Sequence, residues 1–540
     1  MTRSTTLPGH LTPHRRVRVT LGGALALALA LSACGGSGGT GSEATSGRSS
    51  TPGGTSAVDT LKIANAVAVD TLDPIVASAN ESIWLDQNLY ARLVQTDPTG
   101  KDIVPDLAEK WDISKDKLTY TFHLRPGLKF ADGTPVTAQD AKWSIERARS
   151  GEASAWGFLI TPVTDIAATD VQTLTIKLST PHAPLLADLA MYAYAVLPQK
   201  AIEADKDFFK KTPYGAGPFK VTSLSPQSSV VLTRNDNNWG HKPKISTVEV
   251  SIVTDDNTRL LQLQGGQVDV IENPPGNVLK QIAANPKLRV DLFESTRVDF
   301  VSLPLKSKPL GNVKVRQAIK AALDLGRMNT LAYQGNAKPA TTFFPYKMLF
   351  WDASVQEPKQ DLEKAKQLLA EAGFPKGFTI PLIAVSADAA GQAQAVVIKD
   401  DLEKIGITVD IQSFELSTAY DKQRPGTNGM GMRYWTNDII DPDEVATFGA
   451  DGGGGANAFN SYWKDPAVTE MVKMARSETD DTKRAKLYAQ IQAAIVDQVP
   501  FIPLAYAPFR YASGKWVEGF KVSPLGNYND SLLTLTVAEH

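Results

Sequence analysis

The sequence predicts a mixed α/β protein built from two lobes. Its 540 residues are enough for two or three domains with substantial cores. In the first half, apolar residues alternate along strands, as Leu118, Tyr120, Phe122 and Leu124 do. In the second half, apolar residues recur at helical spacing instead, and no repeat with a period of roughly 20–50 residues is visible.

Residues 1–33 predict a secretory signal, which takes no part in the fold. Four arginines precede the run "VTLGGALALALALSAC", whose apolar core is shorter than the roughly 20 residues of a membrane-spanning helix. The exit of this run, Leu31 to Cys34, resembles the lipobox of bacterial lipoproteins, in which the cysteine becomes the lipidated first residue. Cys34 is the only cysteine, so an internal disulfide is excluded. We therefore expect Cys34 to anchor the chain to the outer face of the bacterial cell membrane.

The exported chain is mildly acidic and begins with a tether. Residues 34–57 are rich in Gly, Ser and Thr, a composition typical of a flexible linker. Removing the four signal arginines from 56 basic residues leaves 52 against 58 acidic ones, a net charge of −6. Nucleic-acid binding is not expected, because it requires a basic surface. The sequence also lacks H-E-x-x-H, C-x-x-C and P-loop motifs, so neither a metal nor another cofactor is expected.

Strand signals follow in order from Leu61. The segment "LKIANAVAVDTLDP" predicts a strand that ends in an Asp-Pro turn. Thr137, with Asp140 three residues later, is an approximate capping box and predicts the start of a helix. The segments "VQTLTIKLST" and "STVEVSIV" predict further strands, and between them Gly215 and Gly217 bracket a tight turn.

Helix signals dominate the second half. The segments "NVKVRQAIKAALDLGRM" and "DLEKAKQLLAEAGFPKGF" have helical spacing, and in the latter we expect Asp361 as N-cap and Gly373 as the end. Residues 465–504 predict two helices and a buried strand, after which the chain returns to strand.

The run from Ile103 to Ala148 resembles the signature of family 5 solute-binding proteins, the peptide/nickel type. These are extracytoplasmic receptors of ATP-binding-cassette (ABC) importers. The resemblance extends from about residue 60 to 540 in family order, through "PYGAGPFKV", "RLLQLQGGQVDVIE", "NVKVRQAIKAALDL", "EKAKQLLAEAGFPKGF" and "KRAKLYAQIQAAIVDQVPFIPL". It implies a two-lobed periplasmic-binding-protein fold with an extra subdomain on lobe one. Lobe one would comprise residues 58–300 and 505–540, and lobe two residues 301–504, closing around a solute by a hinge motion.

The stretch "RYWTNDIIDPDEVATF" holds four carboxylates within seven residues. Asp441 suits an N-cap, Pro442 the first helical position and Glu444 the third, a capping box with Asp443 in the first turn. The helix dipole favours acids there by about 0.3–1 kcal/mol each. Asp438 has no comparable local role.

The resemblance implies a role for Asp438. In the peptide-binding branch of the family, a Trp-x-x-Asp before an acid-Pro pair supplies the carboxylate that binds the ligand's α-ammonium group. Trp435 to Asp438 matches this spacing. The alternative is that Asp438 binds an arginine or a backbone group of its own protein.

The resemblance also implies further residues that face the cleft. They lie in the loop after the first strand, in the glycine turn and beyond a run of four glycines: Asn80, Gly215, Ala216, Gly217, Asn457 and Phe459. Tyr434 and Trp435 are candidates for stacking on a ligand, with packing in the core as the alternative.

The sequence thus predicts a lipid-anchored solute-binding protein of an ABC importer, not an enzyme. We expect a monomer that captures a short peptide or another primary-amine solute and delivers it to a membrane permease with its ATPase subunits. Three alternatives stay open: a non-peptide solute such as a sugar, an opine or a metal chelate; an exported hydrolase that uses the clustered acids; and a receptor that signals through a membrane sensor.

Overall fold

The computed structural model describes residues 57–540 except 151–153, 155 and 452–458. The predicted signal, Cys34 and Asn457 therefore lie outside the described residues, as does nearly all of the predicted tether. Within the part that is described, no helix is both long enough and apolar enough to cross a membrane.

The strands of the described chain are short. In order they are β1 (Ala57–Val58), β2 (Thr60–Asn65), β3 (Val94–Thr96), β4 (Ile103–Pro105), β5 (Ala108–Ile113), β6 (Thr119–Leu124), β7 (Val163–Ala168), β8 (Thr173–Leu178), β9 (Phe219–Ser225), β10 (Ser229–Arg234), β11 (Thr247–Ile252), β12 (Val270–Glu272), β13 (Leu288–Phe293), β14 (Val298–Ser302), β15 (Lys338–Pro339), β16 (Phe378–Val385), β17 (Ile407–Phe414), β18 (Met430–Trp435), β19 (Phe501–Tyr506), β20 (Phe509–Gly514), β21 (Val517–Glu518) and β22 (Thr536–Ala538).

The α-helices are concentrated in the second half, as predicted. In order they are α1 (Asn80–Leu89), α2 (Ala138–Ser150), α3 (Leu185–Leu189), α4 (Gln199–Ala204), α5 (Asp256–Gln264), α6 (Leu279–Ala284), α7 (Val313–Ala322), α8 (Leu325–Tyr333), α9 (Leu362–Glu371), α10 (Ala389–Glu403), α11 (Leu416–Gln423), α12 (Asp443–Ala450), α13 (Pro466–Ser477), α14 (Asp481–Gln498) and α15 (Asn529–Thr534). Short 3-10 turns cover Tyr192–Tyr194, Phe208–Lys210, Gly276–Val278 and Pro309–Gly311.

Two large sheets form the two lobes. One has seven strands in the order β13-β20-β12-β2-β11-β10-β9, and the other has six in the order β15-β19-β14-β18-β16-β17. Each contains a parallel group, β2 with β11 and β12 in the first sheet and β16 with β17 and β18 in the second. Parallel neighbours require crossover connections, and these supply the helices that cover the sheets. The predicted two-lobed α/β fold is confirmed.

Lobe one carries the extra subdomain. Its antiparallel sheet has the order β5-β6-β8-β7, and α2 packs on β7 and β8. Along β6, Tyr120, Phe122 and Leu124 are buried in alternation with less buried residues, as predicted. The capping box is also confirmed, since the Thr137 hydroxyl donates to Asp140 Oδ2 at 2.6 Å and the Asp140 N–H donates to Thr137 Oγ1 at 3.3 Å.

Each lobe has its own apolar core. The largest cluster fills lobe one around α1, α2 and both of its sheets, and two further clusters lie on the two faces of the six-stranded sheet. Helix α9 shows how local sequence positions these elements. Asp361 accepts the Lys364 N–H at 2.9 Å, and Gly373 follows the helix end with φ +88°, which glycine adopts without strain.

The chain passes between the two sheets twice. It leaves the seven-stranded sheet after Phe293 and joins the six-stranded sheet at Val298; it returns between Tyr506 and Phe509. By sheet membership the passages are residues 294–297 and 507–508, within a few residues of the predicted lobe boundaries at 300 and 505. The exact division into lobes stays a prediction.

Candidate functional site

The carboxyl ends of the parallel strands mark the candidate site in each lobe. In lobe one, β2 is followed by the loop that leads to α1, and β12 ends at Glu272. In lobe two, β18 ends at Trp435 and is followed by residues 436–442. Ligands of open α/β sheets bind outside such strand ends, because the connecting loops diverge there.

A hydrogen bond joins these two edges. The Thr436 hydroxyl of lobe two donates to Asn80 Oδ1, at the start of α1 in lobe one, at 3.1 Å. Two hydrogen bonds to Thr296 hold Asn437 in place. The Asn437 N–H donates to Thr296 Oγ1 at 3.0 Å, and the Thr296 hydroxyl donates to the Asn437 carbonyl at 2.9 Å. The loop that carries Asp438 is therefore fixed at the boundary between the lobes.

Two of the four clustered acids pair with an arginine, and a third, Glu444, has one satisfied oxygen while its buried Oε1 has no hydrogen-bond partner among the described residues. Asp441 pairs with Arg484 at 2.9 Å, and Asp443 pairs with Arg476 at 3.0 Å. Glu444 Oε2 accepts the N–H groups of Asp438 and Ile439, at 2.8 Å and 3.2 Å. The side chains of Asp441 and Asp443 belong to buried ion pairs rather than to an exposed helix start.

The predicted capping box is only partly correct. Helix α12 begins at Asp443 with Pro442 as the N-cap residue, and Asp441 Oδ1 accepts the Asp443 N–H at 2.9 Å, as a capping acid does. Glu444, however, does not reach back to the Asp441 N–H. It binds the preceding loop instead, because that loop turns back over the helix start and presents two N–H groups to it.

Asp438 is the acid of this group whose carboxylate has no partner. Across the described residues it forms no ion pair and accepts no hydrogen bond, and burial raises its pKa to about 7. It lies close enough to Tyr192 of lobe one for its charge to raise the pKa of the tyrosine hydroxyl, after the larger effect of burial. Asp438 is half-buried, and an unpaired carboxylate held between the two lobes is a costly arrangement that a cationic group would relieve.

Aromatic rings pack behind Asp438. The Trp435 ring centroid lies 4.6 Å from that of Phe448 and 4.9 Å from that of Phe459. From lobe one, Trp156 and Phe158 contact Phe448 at 5.7 Å and 5.1 Å. These rings form an apolar wall that continues across the lobe boundary.

Trp435 and Phe459 differ in how far they reach toward a ligand. Phe459 is 5% exposed and packs in the core of lobe two, so the structure places it beneath the site rather than at its surface. Trp435 is half-buried, and its indole N–H donates to Asn437 Oδ1 at 3.3 Å. It supports the loop and keeps part of its ring accessible.

Tyr434 faces a guanidinium. The Arg297 Cζ lies 4.1 Å from the Tyr434 ring centroid, and Arg297 Nε donates to Asp299 Oδ1 at 2.7 Å. Arg297 belongs to the passage between the sheets, so this contact ties the end of β18 to the first interlobe connection. No local feature of the sequence distinguishes Arg297.

Two buried glutamates of lobe one were also missed. Glu81, in the first turn of α1, is 4% exposed, and burial raises its pKa to about 7. Glu272, at the end of β12, is 1% exposed, and burial raises its pKa well above the ordinary value. The positive charge of Arg297 opposes both shifts. No local motif distinguishes these residues, because only the tertiary fold brings them to the cleft.

The predicted glycine turn, residues 215–217, does not lie at the Asn80–Thr436 contact. A side chain at Gly215 would collide with Tyr90, and one at Gly217 with the backbone of Asn88 and Leu89, at the far end of α1 from Asn80. Ala216 is fully buried. The turn therefore packs on the carboxyl end of α1, about two helical turns from the Asn80–Thr436 contact. That Gly215, Ala216 and Gly217 contact a ligand stays a prediction, as it does for Asn457.

The described residues contain no ready-made metal site. No group of three or more His, Cys, Asp or Glu side chains is arranged there to hold a metal ion.

Comparison with known proteins places this geometry in a family. Residues 102–457 match the model of "Bacterial extracellular solute-binding proteins, family 5 Middle". The dipeptide-binding protein of Escherichia coli K12 is 30% identical over 469 residues, covering 82% of this chain and 88% of the relative.

Solved structures agree with this. DppA from Helicobacter pylori, in complex with the peptide STSA, superposes with a TM-score of 0.82 at 27% identity, over 89% of this chain and 98% of that chain. AgaA from A. tumefacien R10, in complex with agropinic acid, superposes with a TM-score of 0.81 at 26% identity, over 89% of this chain and 99% of that chain. The chain belongs to the bacterial extracellular solute-binding proteins of family 5.

Proposed function

We propose that this protein is the solute receptor of an ABC importer and that it captures a short peptide or another primary-amine solute between its lobes. The observation that carries the proposal is the Asp438 carboxylate. It has no internal partner among the described residues, it is enclosed from both lobes, and it follows Trp435 at the spacing of the peptide-binding branch.

The chemistry of Asp438 suits an ammonium group. A free amino terminus brings one positive charge and three donors to a carboxylate whose charged form is otherwise disfavoured by burial. A hydrogen bond to a charged partner contributes about 1.5–3 kcal/mol. Arg484 and Arg476 already neutralise Asp441 and Asp443. Burial and the charge of Asp438 raise the pKa of Glu444, so Glu444 favours its neutral form and leaves Asp438 as the acid for the ligand.

The lobes supply the capture step. Closure brings Thr436 to Asn80 and continues the aromatic wall from Phe448 to Trp156. We infer that residues 294–297 and 507–508 act as the hinge, since they are the passages between the two sheets. The closed complex is then presented to a permease and its ATPase subunits, and no covalent step takes place.

The membrane attachment is part of the proposal. Lipid on Cys34 holds the protein at the outer face of the cell membrane, and the Gly/Ser-rich segment gives the body its reach. Replacing Cys34 by Ser should release the protein into the medium, measured by immunoblotting of cell and medium fractions. Retention in the cell fraction would contradict the anchor.

The central experiment compares trialanine with N-acetyl-trialanine by isothermal titration. Acetylation removes the ammonium charge, so we expect wild type to bind only the free peptide. Asp438→Asn should weaken trialanine binding by roughly 10- to 150-fold, the equivalent of about 1.5–3 kcal/mol. Asp421→Asn, at an exposed site on α11, is the matched control and should bind as wild type does.

Two outcomes would redirect the proposal. If a panel of free peptides binds wild type and Asp438→Asn equally, the ammonium role is wrong. If no peptide binds, mass spectrometry of the co-purified solute identifies the ligand class. An opine would agree with the likeness to AgaA. Recovery of the bound solute intact separates a receptor from a hydrolase.

A further inference from the structure

Lobe one contains a cavity that is separate from the cleft. Its volume is about 500 Å³, within the usual range for small-molecule sites of roughly 300–1,000 Å³. It lies at the carboxyl end of α1 and is closed on another side by α15. Gln87 on α1 is about 10 Å along the helix axis from Asn80, so the cavity and the Asp438 site are at opposite ends of one helix.

Arg92 places a buried positive charge in this cavity. It is 5% exposed, its Nε has no hydrogen-bond partner, and within the described chain its guanidinium forms no ion pair. The one hydrogen bond that the guanidinium makes to a described residue, from Nη1 to the Tyr90 carbonyl, is long at 3.5 Å. Asp106, which also lines the cavity, accepts the backbone N–H of Arg92 at 2.8 Å, and its charge opposes the lowering of the Arg92 pKa by burial without an ion pair to the guanidinium among the described residues. A buried guanidinium without a carboxylate partner is destabilising, and an anionic group would compensate it.

Asp530 places an acidic group in the same cavity. It is the second residue of α15, and it too forms no ion pair with any described residue. Burial raises its pKa, and the charge of Arg92 opposes that rise, so the two groups sense each other without touching. Opposite charges that share a cavity but are not in contact leave space for a ligand between them.

The rim adds an aromatic surface and amides. Trp239 is 38% exposed, and the Arg125 guanidinium lies 4.2 Å from its ring centroid. Gln95 and Asn238 line the cavity as well and bring hydrogen-bonding amide groups. An aromatic ring and amides beside two opposite charges suit a small polar ligand rather than an apolar one.

We propose that this cavity is a second ligand site, specific for a small zwitterion of the α-amino acid type. The carboxylate of the ligand binds Arg92, its ammonium group binds Asp530, and its side chain lies against Trp239. Asp106 attracts Arg92 without an ion pair to it, so the guanidinium can still take a ligand carboxylate, and Asp530 can take an ammonium group. A molecule with both charges serves both residues, whereas a plain anion or a plain cation serves one.

The test uses the full-length chain carrying Asp438→Asn, in which the cleft is impaired. Isothermal titrations with glycine, L-glutamine and L-tryptophan should show saturable binding of at least one of them, with Kd below about 1 mM. Arg92→Met and Asp530→Asn, each added to this background, should weaken that binding at least tenfold. Methionine is chosen because it keeps much of the apolar volume of the arginine stem and removes the charge.

Ligand analogues provide the second readout. The amide of the bound amino acid lacks the carboxylate, and its N-acetyl derivative lacks the ammonium group, so both should fail to bind. Thermal melting checks the fold of each variant. If Arg92→Met does not fold, Asp530→Asn and Trp239→Ala decide the question.

The proposal is overturned if none of the three amino acids binds, or if binding is unchanged by Arg92→Met and Asp530→Asn. Its failure is distinguishable from failure of the cleft proposal. The cleft is tested with trialanine and Asp438, whereas this cavity is tested with free amino acids and Arg92.

Discussion

Two neighbouring segments of lobe two carry similar acids and use them differently. In the helix start at 441–444, Asp441 and Asp443 are each neutralised by an arginine from α13 or α14. In the loop just before it, Asp438 has no partner among the described residues, and its pKa is about 7. The role of an acid is therefore set by which cations the fold brings to it, not by its distance from other acids in the sequence.

The largest expected effect comes from removing the partner of a satisfied acid. Arg484 is 4% exposed, and Arg484→Met would leave Asp441 buried without its ion pair. We expect the free energy of unfolding to fall by about 3–5 kcal/mol, because one half of a buried pair is left uncompensated. Urea denaturation followed by circular dichroism measures this.

The matched control is Arg424→Met, whose exposed pair with Asp421 should contribute less than about 1 kcal/mol. Equal losses in both variants would show that Asp441 does not depend on Arg484, and the distinction between the two segments would fail.

A smaller effect is expected from pH. The raised pKa of Asp438 means that its carboxyl is mostly protonated in the free protein below about pH 7. An ammonium ligand requires the charged form, so lowering the pH weakens binding. From pH 7.5 to pH 5.0 we expect trialanine affinity to fall roughly 50-fold, after allowing for titration of the peptide amine.

Titration calorimetry at several pH values measures the trialanine affinity. Repeating the titrations in buffers of different ionisation enthalpy gives the number of protons taken up on binding as a second readout. Asp438→Asn should flatten the profile. A wild-type profile that is already flat would mean that Asp438 is charged in the free protein, contrary to its burial.

Stability should depend on pH in the opposite direction to binding. A carboxyl whose folded pKa is raised binds its proton more tightly in the folded state, so its contribution to stability is lost as pH rises from about 4 to about 7. Asp438→Asn should therefore be more stable than wild type at pH 8 and similar at pH 4, measured by thermal melting. Equal melting shifts at both pH values would contradict the assignment.

The smallest effect tests the contact between the lobes. Thr436→Val removes the hydroxyl that donates to Asn80 and keeps the side-chain shape. The net loss of one hydrogen bond is about 0.5–1.5 kcal/mol, so we expect roughly 2- to 10-fold weaker solute binding through less favourable closure. Thr436→Ser retains the hydroxyl and should restore the affinity, and small-angle scattering would report the shift toward open lobes.

Local signals in the sequence predicted much of the fold. Thr137 and Asp140 form the expected capping box, Asp361 caps α9, and the alternation along β6 is observed. Each of these features depends on residues within a few positions of one another, so a single stretch of chain contains all the information.

Only the part of the site that lies on one continuous segment of the chain could be predicted from the sequence. Trp435 ends β18 and Asp438 lies three residues later in the loop that follows, so their spacing along the chain was sufficient to single them out. The partners that give the site its character come from far away in the chain. Tyr192 and Arg297 carry no local signal, and the glycine turn at 215–217 packs on α1 rather than beside Asp438.

Local residue patterns specified the strand-rich first half, the helix-rich second half, the caps of α2 and α9, and one acid with no local role. Only the tertiary structure decided which acids receive an arginine, because an ion pair such as Asp441–Arg484 joins residues 43 positions apart. The physical reason is that hydrogen bonds within a turn are set by neighbouring residues, whereas burial and charge pairing depend on every chain segment that surrounds a group.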